Sequence, residues 1–267
     1  MRYLVFGDVH ANLTALDAVL AAGRARGVET YLFVGDLVGY GPEPLECIER
    51  LLPLQEQGSF AWVVGNHELA VRGDVDLEGY SNEAMQTLQW TKTQVERTSW
   101  AQEFLESGYL TTCVNDLIWL AHDSLASPGT GSYHRWPQKA KSELACLRFN
   151  KGRVCFYGHT HKMRAELHND SGIVMVPTPT HNGDGVDKNP IQLQEGELGW
   201  IGVGSVGFPT NSERRSEFVI LDDSDAARWL VEKYEMAYSR EKARARLREV
   251  YGDICDKEVV ESICRWL

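Results

Sequence analysis

A chain of 267 residues is long enough to bury a full core, as one large α/β domain or two small ones. With 43% hydrophobic and 24% charged residues its composition is that of a soluble globular protein. The formal net charge of −11 disfavours non-specific binding to nucleic acid or to an anionic membrane, although a bound cation could still draw in an anionic substrate locally.

The first element is the run Tyr3-Leu4-Val5-Phe6, closed by Gly7. A short apolar run ending in glycine reads as a buried strand that stops at a turn, and here it delivers Asp8 and His10. Asn12 is placed to cap a helix whose apolar face is Leu13, Leu16, Val19 and Leu20. Strand two, Tyr31–Val34, runs into Gly35-Asp36. A helix with Leu45, Ile48, Leu51 and Leu52 on one face follows the Pro44 turn, and strand three, Phe60–Val64, runs into Gly65-Asn66-His67-Glu68. This β-α-β-α-β opening predicts parallel neighbours with right-handed crossovers. Two helices are expected between Ser81 and Ser107. A hairpin is expected over Thr111–Val114 and Leu117–Ala121, turning at Asn115-Asp116 and releasing His122-Asp123. Residues 124–137 read as a loop and 138–147 as a short helix. Val154–Tyr157 then runs into Gly158-His159-Thr160-His161. Beyond this point the chain is strand-rich: 164–167 pairs with 173–176, 191–194 and 200–203 flank a glycine turn, and 218–221 and 229–232 flank an aspartate-rich one. A second sheet packed on the first is expected, with helices over 241–250 and 259–267. One domain over 1–267 is the reading, with the C-terminal helices, 239–267, as an appended edge.

Gly202-Val203-Gly204-Ser205-Val206-Gly207 matches the string of dinucleotide-binding turns, but that motif must open a helix. Phe208-Pro209 follows instead, so a glycine-rich turn is expected. The six cysteines (Cys47, Cys113, Cys146, Cys155, Cys255 and Cys264) contain no Cys-x-x-Cys pair and read as small apolar residues in a reducing compartment. The first strand starts almost at the N-terminus, no signal-peptide pattern precedes it, and no apolar stretch reaches ~18 residues. A cytoplasmic protein without membrane contact is therefore expected.

Five strand ends thus deliver metal-capable side chains, and in an open α/β sheet ligands bind beyond the carboxyl ends of the strands. The candidate ligands are Asp8, His10, Asp36, Asn66, His122, His159 and His161. Carboxylate, imidazole and amide oxygen without thiolate suit manganese, iron, zinc or cobalt, not copper(I). Seven ligands are too many for one tetrahedral zinc. They fit two divalent ions sharing one carboxylate, which clamp the attacking and leaving oxygens of a phosphoryl displacement from roughly 3.5–4 Å apart. Two such ions, two aspartates and a bridging hydroxide sum to a formal charge of about +1, which attracts a phosphoester anion. His67 is a candidate proton donor to the leaving oxygen. Arg135, in the 124–137 loop, is a candidate phosphate contact beside Asn66 and His67.

Gly7-Asp8-Val9-His10, Gly35-Asp36, Gly65-Asn66-His67-Glu68, the isolated His122 and Gly158-His159-Thr160-His161 resemble, in order, the motifs of the calcineurin-like metallophosphoesterase superfamily. The resemblance covers roughly residues 2–222 and is strongest to its compact bacterial and archaeal phosphodiesterase-type branch, whose Gly-Ser-Val-Gly-x-Pro string has a counterpart at Gly204–Pro209. It implies a four-layer α/β/β/α sandwich of two mixed β-sheets flanked by helices. It also implies one ion on Asp8, His10 and His161, another on Asn66, His122 and His159, Asp36 as the bridge, and His67 orienting the phosphate or protonating the leaving group. Manganese is the ion expected to serve in assay. Three positions depart from the pattern. Ala11 stands where the family commonly has Gly. Asp123 stands where Gly usually follows the isolated histidine, as a partner of the site or a brake on dianionic substrates. Gly35-Asp36-Leu37-Val38-Gly39-Tyr40-Gly41 lacks the Arg of phosphoprotein and diadenosine-tetraphosphate phosphatases. The expected activity is hydrolysis of a small-molecule phosphodiester, with a phosphomonoester as the second candidate, by a metal-bridging hydroxide. The alternatives are a phosphatase of those two kinds, or a binding scaffold on the same fold.

Overall fold

Along the first strand Tyr3 and Val5 face one way and Leu4 and Phe6 the other, and all four are buried. A strand apolar on both faces must lie between two layers, and the rest of the fold supplies them. The structure, a computed structural model, describes residues 1–131, 138–169, 172–176 and 190–267. In chain order the elements are β1 (Arg2–Phe6), α1 (Leu13–Ala25), β2 (Thr30–Phe33), α2 (Pro44–Glu56), β3 (Phe60–Trp62), α3 (Asn66–Arg72), α4 (Asn82–Glu96), α5 (Ser99–Glu106), β4 (Thr111–Val114), β5 (Ile118–Ala121), α6 (Gln138–Phe149), β6 (Val154–Tyr157), β7 (Met163–Asn169), β8 (Gly172–Val176), β9 (Ile191–Gln194), β10 (Leu198–Val203), β11 (Ser216–Asp222), β12 (Arg228–Met236), α7 (Arg240–Tyr251) and α8 (Lys257–Trp266).

Two six-stranded sheets result, ordered β3-β2-β1-β11-β12-β9 and β4-β5-β6-β10-β7-β8. In the first, β1, β2 and β3 are parallel, and in the second β5, β6 and β10 are. Val5, Leu32, Val34 and Val219 of the first sheet meet Leu120, Phe156, Ile201 and Val203 of the second in one buried cluster. The outer face of the first sheet (Leu4, Phe6, Phe33) packs on Leu16, Val19 and Leu20 of α1 and Ile48 and Leu51 of α2. The outer face of the second (Tyr157, Trp200) packs on Leu144 and Leu147 of α6. This is the α/β/β/α sandwich implied by the motifs. Because β1, β2 and β3 run parallel in one layer and β5 and β6 in the other, their carboxyl ends come to one rim of the sandwich.

Local expectations hold where a side chain decides them. Asn12 Oδ1 accepts the Ala15 N–H at 3.1 Å and caps α1. Asn115 and Asp116 both take positive φ, 50° and 60°, which is the primed turn that joins β4 to β5 without a glycine. Three features differ. First, β9 and β10 are not a hairpin: β9 pairs with β12 in the first sheet, β10 with β6 and β7 in the second, and the Gly196 turn is a corner between layers. Second, the strand-rich half does not form a sheet of its own, because β11 inserts beside β1 and β10 beside β6. Third, a helix starts directly at Asn66, with no cap residue to announce it; its N-cap is Gly65. Helices α7 and α8 bury Leu247, Tyr251, Val260 and Ile263 against one another, with Phe208 and Trp90 of α4 against the same cluster.

Glu217, near the start of β11, is 5% exposed, and its Oε2 has no hydrogen-bond partner among the described residues. Burial pushes its carboxyl up to about 7, against a partial pull downward from the Asn211 side chain. A carboxyl whose folded value exceeds its ordinary 4.5 holds its proton more tightly folded than unfolded, so stability falls as pH rises between the two values. Urea unfolding at pH 5 and pH 8 should therefore show Glu217→Gln gaining on wild type by up to about 3 kcal/mol at the higher pH. An equal difference at both would show that Glu217 does not titrate in this window.

Candidate metal centre

The rim carries the strand-end residues in a backbone that L-amino acids rarely adopt. Asp8, His10, Ala11, Asp36, Tyr40, His159 and His161 all have φ between +49° and +61°. Among the described residues, seven of the eleven non-glycine residues with positive φ lie here, so backbone strain is concentrated at one place, as it is at functional sites. Cross-strand bonds hold the turns in place: Asp8 N–H to Gly35 O (2.9 Å), His10 N–H to Asp36 O (3.0 Å) and Gly158 N–H to His122 O (3.0 Å). Ala11, with φ +51°, sits where glycine would be unstrained, which costs about 1 kcal/mol. Glycine is required at Gly65, where a Cβ would stand 2.1 Å from Asp36 Oδ1, and at Gly39, where it would stand 2.0 Å from His67 Nδ1.

All seven candidate ligands meet at this rim. Asp8, His10 and His161 bring ligand atoms within 4.8 Å of one another, as do Asp36, His122 and His159; a third such group is His10, Asp36 and His67. Asp36 belongs to two groups, and its Oδ2 faces both His10 Nε2 (3.8 Å) and His122 Nε2 (3.3 Å). Asn66 Oδ1 lies 3.2 Å from His122 Nε2 and 2.9 Å from His159 Nδ1. Its amide is oriented by Tyr80, whose Oη accepts from Asn66 Nδ2 at 3.3 Å and donates to Asn66 O at 2.9 Å. Beside the cluster opens a cavity of 550 Å³ lined in part by Tyr40, Asn66, His67, Asp76, Glu78, Tyr80, Thr130 and His159. Arg135 lies outside the described residues.

Residues 1–163, more than half of the chain, match the family described as calcineurin-like phosphoesterase. The chain belongs to that family. It is also similar to an uncharacterized protein of Methanocaldococcus jannaschii, 29% identical over 254 residues that cover 93% of this chain and 95% of that one. A crystal structure of a metallophosphoesterase from Sphaerobacter thermophilus superposes with a TM-score of 0.74 at 27% identity, over 100% of this chain and 99% of the other. A hypothetical protein of Pyrococcus horikoshii superposes with a TM-score of 0.71 at 17% identity, over 98% and 97%, and shares the fold.

The donor set fits cations. His10 and His67 each place Nδ1 on the Val38 carbonyl (3.3 and 3.1 Å), His122 on that of Val34 (2.7 Å) and His161 on that of Phe208 (3.0 Å). A carbonyl only accepts, so each of these imidazoles keeps a proton on Nδ1 and turns Nε2 toward the centre. His159 is reversed, with Nε2 on Gly131 O at 3.2 Å and Nδ1 toward Asn66. The Nε2 atoms of His10 and His161 face each other at 2.9 Å, and two lone pairs at that distance need a positive charge between or beside them. Asp8 Oδ2 is buried with no hydrogen-bond partner among the described residues, while its Oδ1 takes the His159 N–H. The side chains' own titration shows the same demand. Burial opposes charge on His122, yet the Asp36 carboxylate raises it to about 10. Burial likewise opposes charge on His161, and Asp8 raises it above its ordinary value. Asp36 is held well below the carboxylate range, against burial, by His122 and His67.

Two residues matter more than their sequence context showed. Tyr40 reads from sequence as packing. It stacks on Phe208 at 4.7 Å but also lines the cavity, with its ring 5.0 Å from that of His67. Glu68, the last residue of its motif, is fully buried and accepts four backbone N–H groups: Asp36 (2.8 Å), Leu37 (2.7 Å), Val38 (3.1 Å) and Gly65 (2.7 Å). Burial, then the nearby Asp36 charge, pushes its carboxyl up to about 7. The readable signal was the return half of a capping box, a Glu three residues after an N-cap. Glu68→Gln puts an amide NH₂ against two of those N–H donors. It should cost about 2–4 kcal/mol in urea unfolding and lower the divalent metal retained on purification. Wild-type stability and metal content in that variant would contradict this role.

Proposed function

We propose that the chain is a dinuclear metal-dependent phosphodiesterase. The observation that supports it most is the position of Asp36 Oδ2, 3.8 Å from His10 Nε2 and 3.3 Å from His122 Nε2, between the two ligand sets and beside a cavity large enough for a small organic phosphoester. Asp8, His10 and His161 would hold one divalent ion, Asn66, His122 and His159 the other, and Asp36 both. Such ions supply activation of water at neutral pH and neutralisation of charge on the phosphoryl oxygens.

The chain's own residues do the rest. The Nδ1-bound carbonyls fix the imidazole tautomers, so the centre is organised before substrate arrives. Burial lowers His67 below its ordinary value, so it is neutral near pH 7 with Nδ1–H on Val38. An anionic phosphoester beside it raises it again, and the proton taken up at Nε2 can pass to the leaving oxygen.

Preference for diesters follows from charge. Among the described residues lining the cavity there is no Lys or Arg to pair with the second charge of a monoester, while Asp76 and Glu78 are both there. Tyr40 occupies the place of the Arg that marks phosphoprotein and dinucleoside-polyphosphate phosphatases and lays an aromatic ring against His67. With Mn²⁺, kcat/KM for an aryl phosphodiester should exceed that for the matching aryl monoester by at least about tenfold, and the reverse order would refute the diester reading. Asp36→Asn should lose more than ~100-fold in kcat, beyond the 10–100-fold typical of groups that only orient ligands, and bind less metal. Undiminished turnover would refute the shared-carboxylate role. Wild-type protein that neither retains a divalent ion nor turns over either substrate would make the chain a binding scaffold instead.

A further inference from the structure

Asp123 follows His122 directly, yet its carboxylate does not reach into the ligand cluster. It is 2% exposed and turned toward the next loop, where Oδ1 accepts the Gly129 N–H at 3.0 Å and Oδ2 accepts the Gly131 N–H at 2.7 Å and the Thr130 hydroxyl at 3.3 Å. The near half of the same loop is held separately. Glu143 of α6 accepts the Ser124 hydroxyl at 2.6 Å and the Leu125 and Ala126 N–H groups at 2.8 and 3.0 Å. Asp123 therefore controls the far half, residues 129–131. That half ends at the Gly131 carbonyl, which lies 3.2 Å from His159 Nε2. His159 is the imidazole of the cluster whose orientation is reversed. Its Nδ1 faces Asn66 Oδ1 at 2.9 Å and its Nε2 faces the Gly131 carbonyl, so the Gly131 carbonyl competes with that amide oxygen for the imidazole proton.

We infer that Asp123 is a positioning residue that fixes the place and tautomer of His159 through the Gly131 carbonyl, and thereby sets affinity for the ion held by Asn66, His122 and His159. The inference rests on the ligand assignment proposed above. A second-layer group that orients a ligating imidazole typically changes metal affinity by 10–100-fold. Two glycines, Gly129 at φ +76° and Gly131 at φ +63°, make the loop compliant, so the Asp123 bonds, together with the Thr130 hydroxyl on Ser127 O at 3.1 Å, set where the Gly131 carbonyl stands. A glycine at position 123 would offer no carboxylate to these groups.

The test uses chelator-stripped full-length protein and two readouts that do not depend on turnover. The first is the ¹⁵N spectrum of His159, which distinguishes the two neutral tautomers. Wild type should show the proton on Nε2, and Asp123→Ala should populate the Nδ1–H form while His122 keeps its tautomer. The second is calorimetric titration with Mn²⁺. Wild type should bind two ions, and Asp123→Ala should weaken one of them by 10–100-fold while leaving the other within about threefold. Asp123→Asn keeps one acceptor oxygen but turns an amide NH₂ toward the other N–H, so it should fall between the two, and it carries the same test if the alanine variant does not fold. A variant with the wild-type melting curve, the wild-type His159 tautomer and unchanged affinity for both ions overturns the inference. If wild type binds no Mn²⁺, the ligand assignment falls and the ion-affinity claim with it, whereas a changed tautomer would still support the Asp123–Gly131–His159 linkage.

Discussion

The centre depends on one buried carboxylate. Glu68 gathers N–H groups from Asp36, Leu37, Val38 and Gly65, that is, from both turns that follow β2 and β3. A charged acceptor away from water is tolerable only when its lone pairs are all engaged, and four donors meet that condition. The Val38 peptide transmits the result. Its N–H is on Glu68 and its carbonyl takes Nδ1 of both His10 and His67. One side chain thus sets the backbone under Asp36 and, through a single peptide plane, the direction of two imidazoles. The strained φ values at Asp36 and Tyr40 persist because this network over-determines the segment between them.

The cavity side of the site shares that scaffold. Phe208 gives its carbonyl to His161 and its ring to Tyr40, and Trp266 of α8 stacks on its other neighbourhood at 5.5 Å. Tyr251 of α7 donates to the Gly41 carbonyl at 2.6 Å, and Gly41 N–H in turn reaches His10 O at 3.0 Å. The C-terminal helices, which read from sequence as an appended edge, therefore touch the loop that carries Tyr40 and the carbonyl that orients His161. The glycine-rich string at 204–209 serves the same end. Ser205 Oγ and the Gly207 N–H both donate to Asp8 O, at 2.9 and 3.0 Å, so the match to a dinucleotide turn is a backbone brace for the first aspartate.

Much of this was legible because the chemistry repeats a local pattern. An apolar run, a glycine and a polar residue recur at Asp8, Asp36, Asn66 and His159, and strand ends gathered at one rim explain the recurrence, although β6 and His159 belong to the other sheet. The two sheets were legible from periodicity, but their membership was not. The alternation along 191–194 and the apolar run 198–203 are the same whether the strands pair or part at a corner, and nothing local says that β11 slots in beside β1. Helix α3 was hidden because Gly65 has no side chain with which to cap. Glu68, Asp123 and Gly131 were hidden for a common reason: each acts through a main-chain N–H or carbonyl, and main-chain groups leave no letter in the sequence. Asp123 was readable as a departure, but the direction of its carboxylate, away from the cluster and toward 129–131, is set by the path of the loop, which no local pattern encodes.

The same geometry explains why a cluster so rich in acceptors survives in a folded chain at all. Six of the seven candidate ligands are Asp or His, held by bonds that leave their second atom turned to the centre, and several of those atoms lie within 3.3 Å of another acceptor. Protons can relieve part of the repulsion, which is why His122 rises to about 10 and His161 rises too, although burial pushes both the other way. His10 and His159 cannot follow, because burial and their charged imidazole neighbours push them down. The cluster therefore accepts some positive charge from solvent but not enough to satisfy every lone pair. A divalent ion carries more charge and more coordination directions than a proton, so it competes for these atoms on favourable terms, and it must displace the protons on His122 and His161 to do so. The side chains are arranged for cations stronger than H⁺, which is the physical content of calling this rim a metal centre.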